Sequence, residues 1–121
     1  MSRRIERLNE QVKREVSDIL RTEVRDPRVG VITVTEARVA PDLSIARVYV
    51  RPMGDQKEQE DALEGLEAAA PFVRRELSKR LKIRTVPVLR FEADRALEYG
   101  MHIEKLLGEI KDTDSSDTSD T

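Results

Sequence analysis

From Arg3 to about Val24, apolar residues recur at three- and four-residue steps: Ile5, Leu8, Val12, Val16, Ile19 and Leu20. That period puts them on one stripe of a long helix. Asp26-Pro27 must end it, because proline disfavours helical backbone in the residue before it and cannot donate into the preceding turn. The period then changes. Val29 to Val39 is rich in Val and Thr, and Leu43 to Arg51 alternates Ala46, Val48 and Val50 against Arg47, Tyr49 and Arg51. Two strands are predicted, joined as a hairpin through Pro41-Asp42, where proline presets the backbone of a turn's second position and Asp tolerates the third.

Glu58 to Ala69 is helical by composition, although Gly65 weakens it by ~1 kcal/mol relative to alanine. Pro71 either kinks a continuous helix or sits in the first turn of a new one. Both readings predict two helical pieces with a bend between them. Beyond the proline, Val73, Leu77 and Leu81 fall on one stripe, while Arg74, Arg75, Lys79 and Lys82 spread over the other side. Val86 to Glu92 reads as a third strand with Pro87 near its start, where a lost ladder bond is tolerable. Ala93 to about Ile110 shows weak helical spacing. From Asp112 no apolar residue occurs, so residues 111–121 are expected to form a disordered acidic tail on a single domain spanning 1–110. The order is helix, strand, strand, helix, bent helix, strand. This is an α+β fold, a three-stranded sheet with its helices on one face.

The chain has 121 residues, 32 of them Leu, Ile, Val or Phe, enough for the modest core of one domain. Its net charge of −2 hides a segregation that a charged partner would feel. Residues 71–84 carry six cations and one anion, whereas 52–68 carry six anions and one cation. Cysteine is absent, which excludes thiolate chemistry and disulfides. The N-terminus is interrupted by charge and no run is long enough to span a bilayer, so a cytoplasmic protein without a membrane partner is expected.

The chemistry of an enzyme is missing. His102 is the single histidine, and the five glycines are isolated, so neither a metal site, a Ser/His/Asp arrangement nor a phosphate loop can be assembled. No cofactor is expected. The acidic block lacks calcium-loop spacing and reads as a solvated helix face. A protein-interaction adaptor using that block and the first helix is a competing class. Phe72 and Phe91 suit a core better than a stacking platform, and no strand carries paired aromatics, so contact with nucleic acid would run through cations on backbone and shape. The candidate phosphate-contacting residues are Arg74, Arg75, Lys79, Arg80, Lys82 and Arg84. Arg3, Arg4 and Arg7, at the start of the first helix, read only as generic positive charge.

The runs Asp26-Pro27-Arg28-Val29-Gly30, Thr33-Val34-Thr35, Asp42-Leu43 and Ala46-Arg47-Val48-Tyr49-Val50 resemble the first half of bacterial ribosome-binding factor A. Phe72-Val73-Arg74-Arg75-Glu76-Leu77, Leu81-Lys82-Ile83-Arg84, Pro87-Val88-Leu89-Arg90-Phe91 and Asp94, followed by Gly100, Ile103 and Leu106-Leu107, resemble the second half. The resemblance implies a type II KH-like domain. It also implies a small-subunit assembly factor that binds free, immature 30S ribosomal subunits and helps 16S rRNA mature, including at its 5′ end, with a role in growth in the cold. A monomer is expected. A general RNA-binding or translation-regulating KH-like module is the alternative. Where the family has an Ala-x-Gly kink between two helices, this chain has Ala69-Ala70-Pro71, so a pyrrolidine ring occupies space that glycine leaves open.

Overall fold

The computed structural model describes residues 3–95. Along them run α1 (Arg3–Thr22), β1 (Ile32–Val39), β2 (Ile45–Pro52), α2 (Gln56–Arg80) and β3 (Val88–Ala93). The strands form one sheet in the order β1-β2-β3, with β1 antiparallel to β2 and β2 parallel to β3. A parallel pair needs a long crossover, and α2 supplies it. Both helices lie on the same face, α1 over β1 and α2 over β3. Between helices and sheet sit Val12, Val16, Ile19, Val48, Val50, Leu66, Val73 and Leu77, none of them measurably exposed.

The hairpin turns where Pro41-Asp42 predicts. The Leu43 amide donates to the Ala40 carbonyl at 2.8 Å, and the Asp42 carboxylate accepts from the Ser44 amide and hydroxyl at 3.0 and 2.7 Å. Leu43 itself is left-handed, with φ +62°. It tolerates that backbone because its side chain packs against the core.

Strand β1 solves a problem of parity. Val34, Ala37 and Val39 are all buried, yet a strand of period two cannot turn positions 34 and 37 to the same face. A bulge supplies the missing step: Val34 pairs with Val50 and Glu36 with Tyr49, leaving Thr35 as the extra residue. The Thr35 hydroxyl lies 3.2 Å from the Tyr49 carbonyl and 2.5 Å from an Asp94 carboxylate oxygen, so the bulge is tied to the end of β3.

In the second helical region the first of the two readings of Pro71 holds: α2 is one helix of 25 residues that runs through the proline. The proline removes one ladder bond, but it projects into solvent, and the freed Glu67 carbonyl belongs to an exposed residue. Among the described residues the two predicted helical pieces are therefore a single element. The helix also stops earlier than the charge pattern suggests: Leu81 is its C-cap, with extended backbone at φ −90° and ψ 132°, so Lys82 lies beyond the helix and not on its basic face. Leu81 is only 2% exposed, and burying it turns the chain out of the helix. At the other end Asp55 and Glu58 form a reciprocal capping box. Gly54 is needed there, since its φ is +104° and a Cβ would lie 2.7 Å from a Glu58 carboxylate oxygen.

Gly65, a weak point by helix propensity, is buried. A Cβ on it would stand 3.1 Å from the Arg28 Cβ and 3.2 Å from Val29, so the missing side chain lets the Asp26–Val29 turn lie against the helix. The strand predicted from Val29 begins only at Ile32, because Asp26 closes that turn: its carboxylate accepts from the Arg28 amide at 2.9 Å, and the Val29 amide donates to its carbonyl at 3.0 Å. Residues 96–121, where a weak helix and an acidic tail are predicted, lie outside the described residues.

Candidate nucleic-acid interface

The basic residues divide by what they already hold. Arg80 faces α1 and lies 2.7 Å from Asp18 and 3.2 Å from Glu15, with its side chain 27% exposed. The Arg80 hydrogen bond holds the Asp18 carboxyl below its ordinary range, and the same pair raises the Arg80 pKa further. It clamps two helices, so its charge is engaged within the fold. Arg74 donates twice to the Val86 carbonyl, at 2.7 and 3.2 Å, which fixes the chain on its way into β3. Lys79 pairs with Glu76 at 3.0 Å, and the Arg75 guanidinium stands 5.9 Å from the centre of the Phe72 ring. Both stay on the exposed side of the helix.

Lys82 and Arg84 go elsewhere. With buried Leu81 and half-buried Ile83 as anchors, the loop after α2 turns these two outward beside the start of α1. There they meet Arg3, Arg4 and Arg7 around a groove of about 940 Å³. Leu8, Leu43 and Ile83 line it between the cations, and among the described residues it includes no carboxylate. The positive end of the α1 dipole points the same way. Reading Arg3, Arg4 and Arg7 as generic charge misses this convergence. The available signal was the apolar stripe itself, since Leu8 and Ile83 reach the same core and must carry their neighbours together.

A second groove, of about 640 Å³, runs between α2 and β3. Ala70, Pro71 and Arg74 line one side and Leu89, Arg90 and Phe91 the other. Of the three residues at the expected kink, Ala70 and Pro71 thus reach a groove wall, while Ala69 packs towards the core. Glu67 and Glu92 also line this groove, and Glu92 pairs with Arg47 at 3.1 Å, so it is far less positive than the first. Phe91 is half-buried, half core residue and half groove wall.

On the sheet face away from the helices, Arg38, Arg47 and Arg90 stand in register across the three strands, next to a row of Glu36, Tyr49 and Glu92. The rows neutralise each other, Arg38 bonding Glu36 and Arg47 bonding Glu92. Among the described residues no helix is long and apolar enough to cross a membrane, and no three His, Cys, Asp or Glu side chains converge as metal ligands. His102 lies outside the described residues.

This is an α+β domain of the type II KH-like kind, with a mixed three-stranded sheet, two helices on one face and a groove between the second helix and the last strand. The ribosome-binding factor A family model matches residues 4–107. The chain belongs to the ribosome-binding factor A family. It is 45% identical over 121 residues to ribosome-binding factor A of Acetivibrio thermocellus, covering 98% of each chain. Against that of Staphylococcus carnosus it is 44% identical over 111 residues, covering 92% of this chain and 96% of the relative. Among solved structures, the crystal structure of ribosome-binding factor A from Thermus thermophilus superposes with TM-score 0.69 at 30% identity, covering 76% of this chain and 97% of that one. A homology model of the Thermus thermophilus protein, fitted into a cryo-EM map of a 30S–RbfA complex, matches with TM-score 0.61 at 31% identity, covering 72% of this chain and 91% of that one.

Proposed function

We propose that this protein is a small-subunit assembly factor that binds free, immature 30S subunits in the cytoplasm and assists maturation of 16S rRNA, including its 5′ end. The observation that carries the reading is the convergence of Arg3, Arg4, Arg7, Lys82 and Arg84 on a groove that no carboxylate lines among the described residues, in a chain of the ribosome-binding factor A family. A homology model of a relative has been fitted into the map of a 30S complex, which supports the choice of particle. The role is to hold rRNA, not to cut it. Five cations on a fixed surface bind phosphates by releasing counterions, and the Arg guanidinium groups add planar, forked donors. Arg75 and Lys79 extend the surface along α2, with Arg74 and Arg90 in the second groove. Arg80 is left out of the set, because its charge is spent on Glu15 and Asp18. The protein acts as a monomer and needs no cofactor.

Sedimentation of the protein with gradient-purified subunits tests the binding. It is expected with free 30S precursors and not with 70S particles or with bulk RNA at equal phosphate. Equal binding to bulk RNA would point to a general RNA-binding module instead. For the maturation role, depletion of the protein should leave 16S rRNA with extended 5′ ends, more so at low growth temperature.

A further inference from the structure

The end of the molecule opposite the basic groove carries a different surface. Val31 is 72% exposed and Met53 66%, and among the described residues only Val88 joins them as an exposed large hydrophobic. The two sit side by side at the open end of the hairpin, where the Met53 amide donates to the Val31 carbonyl at 3.2 Å. Between them and α2 lies a groove of about 490 Å³, walled by Pro27, Val29 and Ala62. Its rim is acidic. Glu58, Asp61 and Arg28 line it, with Glu64, Asp26 and Lys57 beside it; Arg28 pairs with Asp26 and Glu64 and Lys57 with Asp61, so four carboxylates face two cations and the rim stays net negative.

An apolar floor with a polar rim is the plan of a protein-binding site, and the sign of the rim decides among partners. RNA is repelled by a stretch, residues 52–68, with six anions and one cation. A second copy of this chain could offer its basic end, but that end is itself a hollow, with Leu8, Leu43 and Ile83 on its floor and, among the described residues, no projecting large apolar side chain to insert. What fits is a Lys- or Arg-rich polypeptide segment that places an aliphatic side chain between Val31 and Met53, the thioether adapting its shape to the insert. We propose that the Pro27–Val31, Met53 and α2 groove docks such a basic protein segment, exposed on the particle that the opposite end binds through RNA. The proposal rests on the small-subunit reading, and the two ends are separable by experiment.

A photo-crosslinking benzoylphenylalanine replaces Met53 in one full-length variant and Lys82 in another, and each is irradiated with purified small-subunit precursors. Position 82 is expected to label rRNA and position 53 a Lys/Arg-rich protein segment. Separately, Val31→Ser with Met53→Ser should weaken particle binding about 10-fold with the slope of affinity against salt unchanged, because apolar contacts release no counterions. Both side chains are mostly exposed, so the melting temperature should stay within a degree or two of wild type. If position 53 labels RNA, a second copy of this chain or nothing while position 82 labels rRNA, the docking site is overturned and the RNA reading stands. Full affinity in the double serine variant overturns it too. Silence at both positions with no cosedimentation overturns both readings, the RNA reading failing on its own position.

Discussion

The two ends of α2 carry opposite charge at similar density, and they use it differently. At the N-terminal end the carboxylates close onto the chain: Asp55 and Glu58 form the cap, Asp61 meets Lys57, and Glu64 meets Arg28, which also holds Asp26. At the C-terminal end only Arg80 is fully engaged with carboxylates, while Lys82 and Arg84 turn outward to join three arginines of α1. Both arrangements complement the helix dipole, anions at its start and cations at its finish. Composition alone does not distinguish them. It does not show which charges the fold pairs across long separations, as it pairs Arg80 with Glu15 and Asp18.

Neutralising the basic groove should give the largest effect. Arg7→Ala, Lys82→Ala and Arg84→Ala together remove three phosphate contacts, each worth ~0.7 to 0.9 in the slope of log affinity against log salt. A total drop of roughly two, extrapolated to physiological salt, lowers RNA affinity roughly 100-fold. Filter binding across a salt series reads both numbers. Arg75→Ala with Lys79→Ala should cost less, since Lys79 is partly neutralised by Glu76 and Arg75 leans on Phe72. If the two sets cost the same per residue, the convergence at the groove has no special part in binding.

The acidic end should respond in the opposite way. Gly65→Leu forces a side chain into space bounded by Arg28 and Val29, and overpacking of this kind costs typically ~1–3 kcal/mol. Urea unfolding should show that loss, while the salt slope of RNA binding stays as in wild type. An unchanged midpoint would mean that the Asp26–Val29 turn is not held against the helix.

Arg80→Ala crosses the divide, since it removes a cation from the basic end for a structural reason. It should lower the melting temperature by a few degrees, because Glu15 and Asp18 lose a shared partner between two helices. The RNA salt slope should not move. A drop of nearly one unit in the slope would return Arg80 to the phosphate-contacting set.

Much of this fold was legible in the sequence, and the gaps have physical causes. The α1 stripe, the hairpin and its Pro41-Asp42 turn follow from local periodicity and turn chemistry, which adjacent residues suffice to encode. The bulge at Thr35 was also encoded, in the odd spacing of Val34 and Ala37, but reading it requires knowing that both are buried. The choice between a continuous and a restarted helix at Pro71 is not legible, since a proline's local preference is to break a helix and only packing on both sides overrides it. At the site, the charge pattern points to Lys82 and Arg84 as part of a helix that ends before them. Sign alone puts Arg80 among the candidates, though its partners lie 62 and 65 positions away. Nothing local ties Arg3, Arg4 and Arg7, at the start of α1, to the exit of α2.

The smallest effect, and the one that separates the two ends by chemistry, is the response to acid. Asp26 is held below its ordinary value of 3.8 first by the Arg28 side chain and then by the Arg28 amide, and Asp18 is held down first by Arg80. A carboxyl with a depressed folded-state pKa contributes stability that is present above the unfolded value and is lost as pH falls through the folded one. Stability should therefore be flat between about pH 5 and 8 with respect to these groups and decline only below about pH 4. Asp26→Asn should be less stable than wild type at neutral pH, and the gap should close as acid protonates Asp26 in the wild-type protein. Thermal melts of both proteins from pH 7 down to about 2.5 follow the convergence. The Asp26–Arg28 pair lies at the end of the fold away from the basic groove, so RNA affinity should hold constant from about pH 5 to 8 at fixed salt. A fall in RNA affinity across that range would mean that a titrating group of the protein contributes to the contact, and that the response to acid does not separate the two ends.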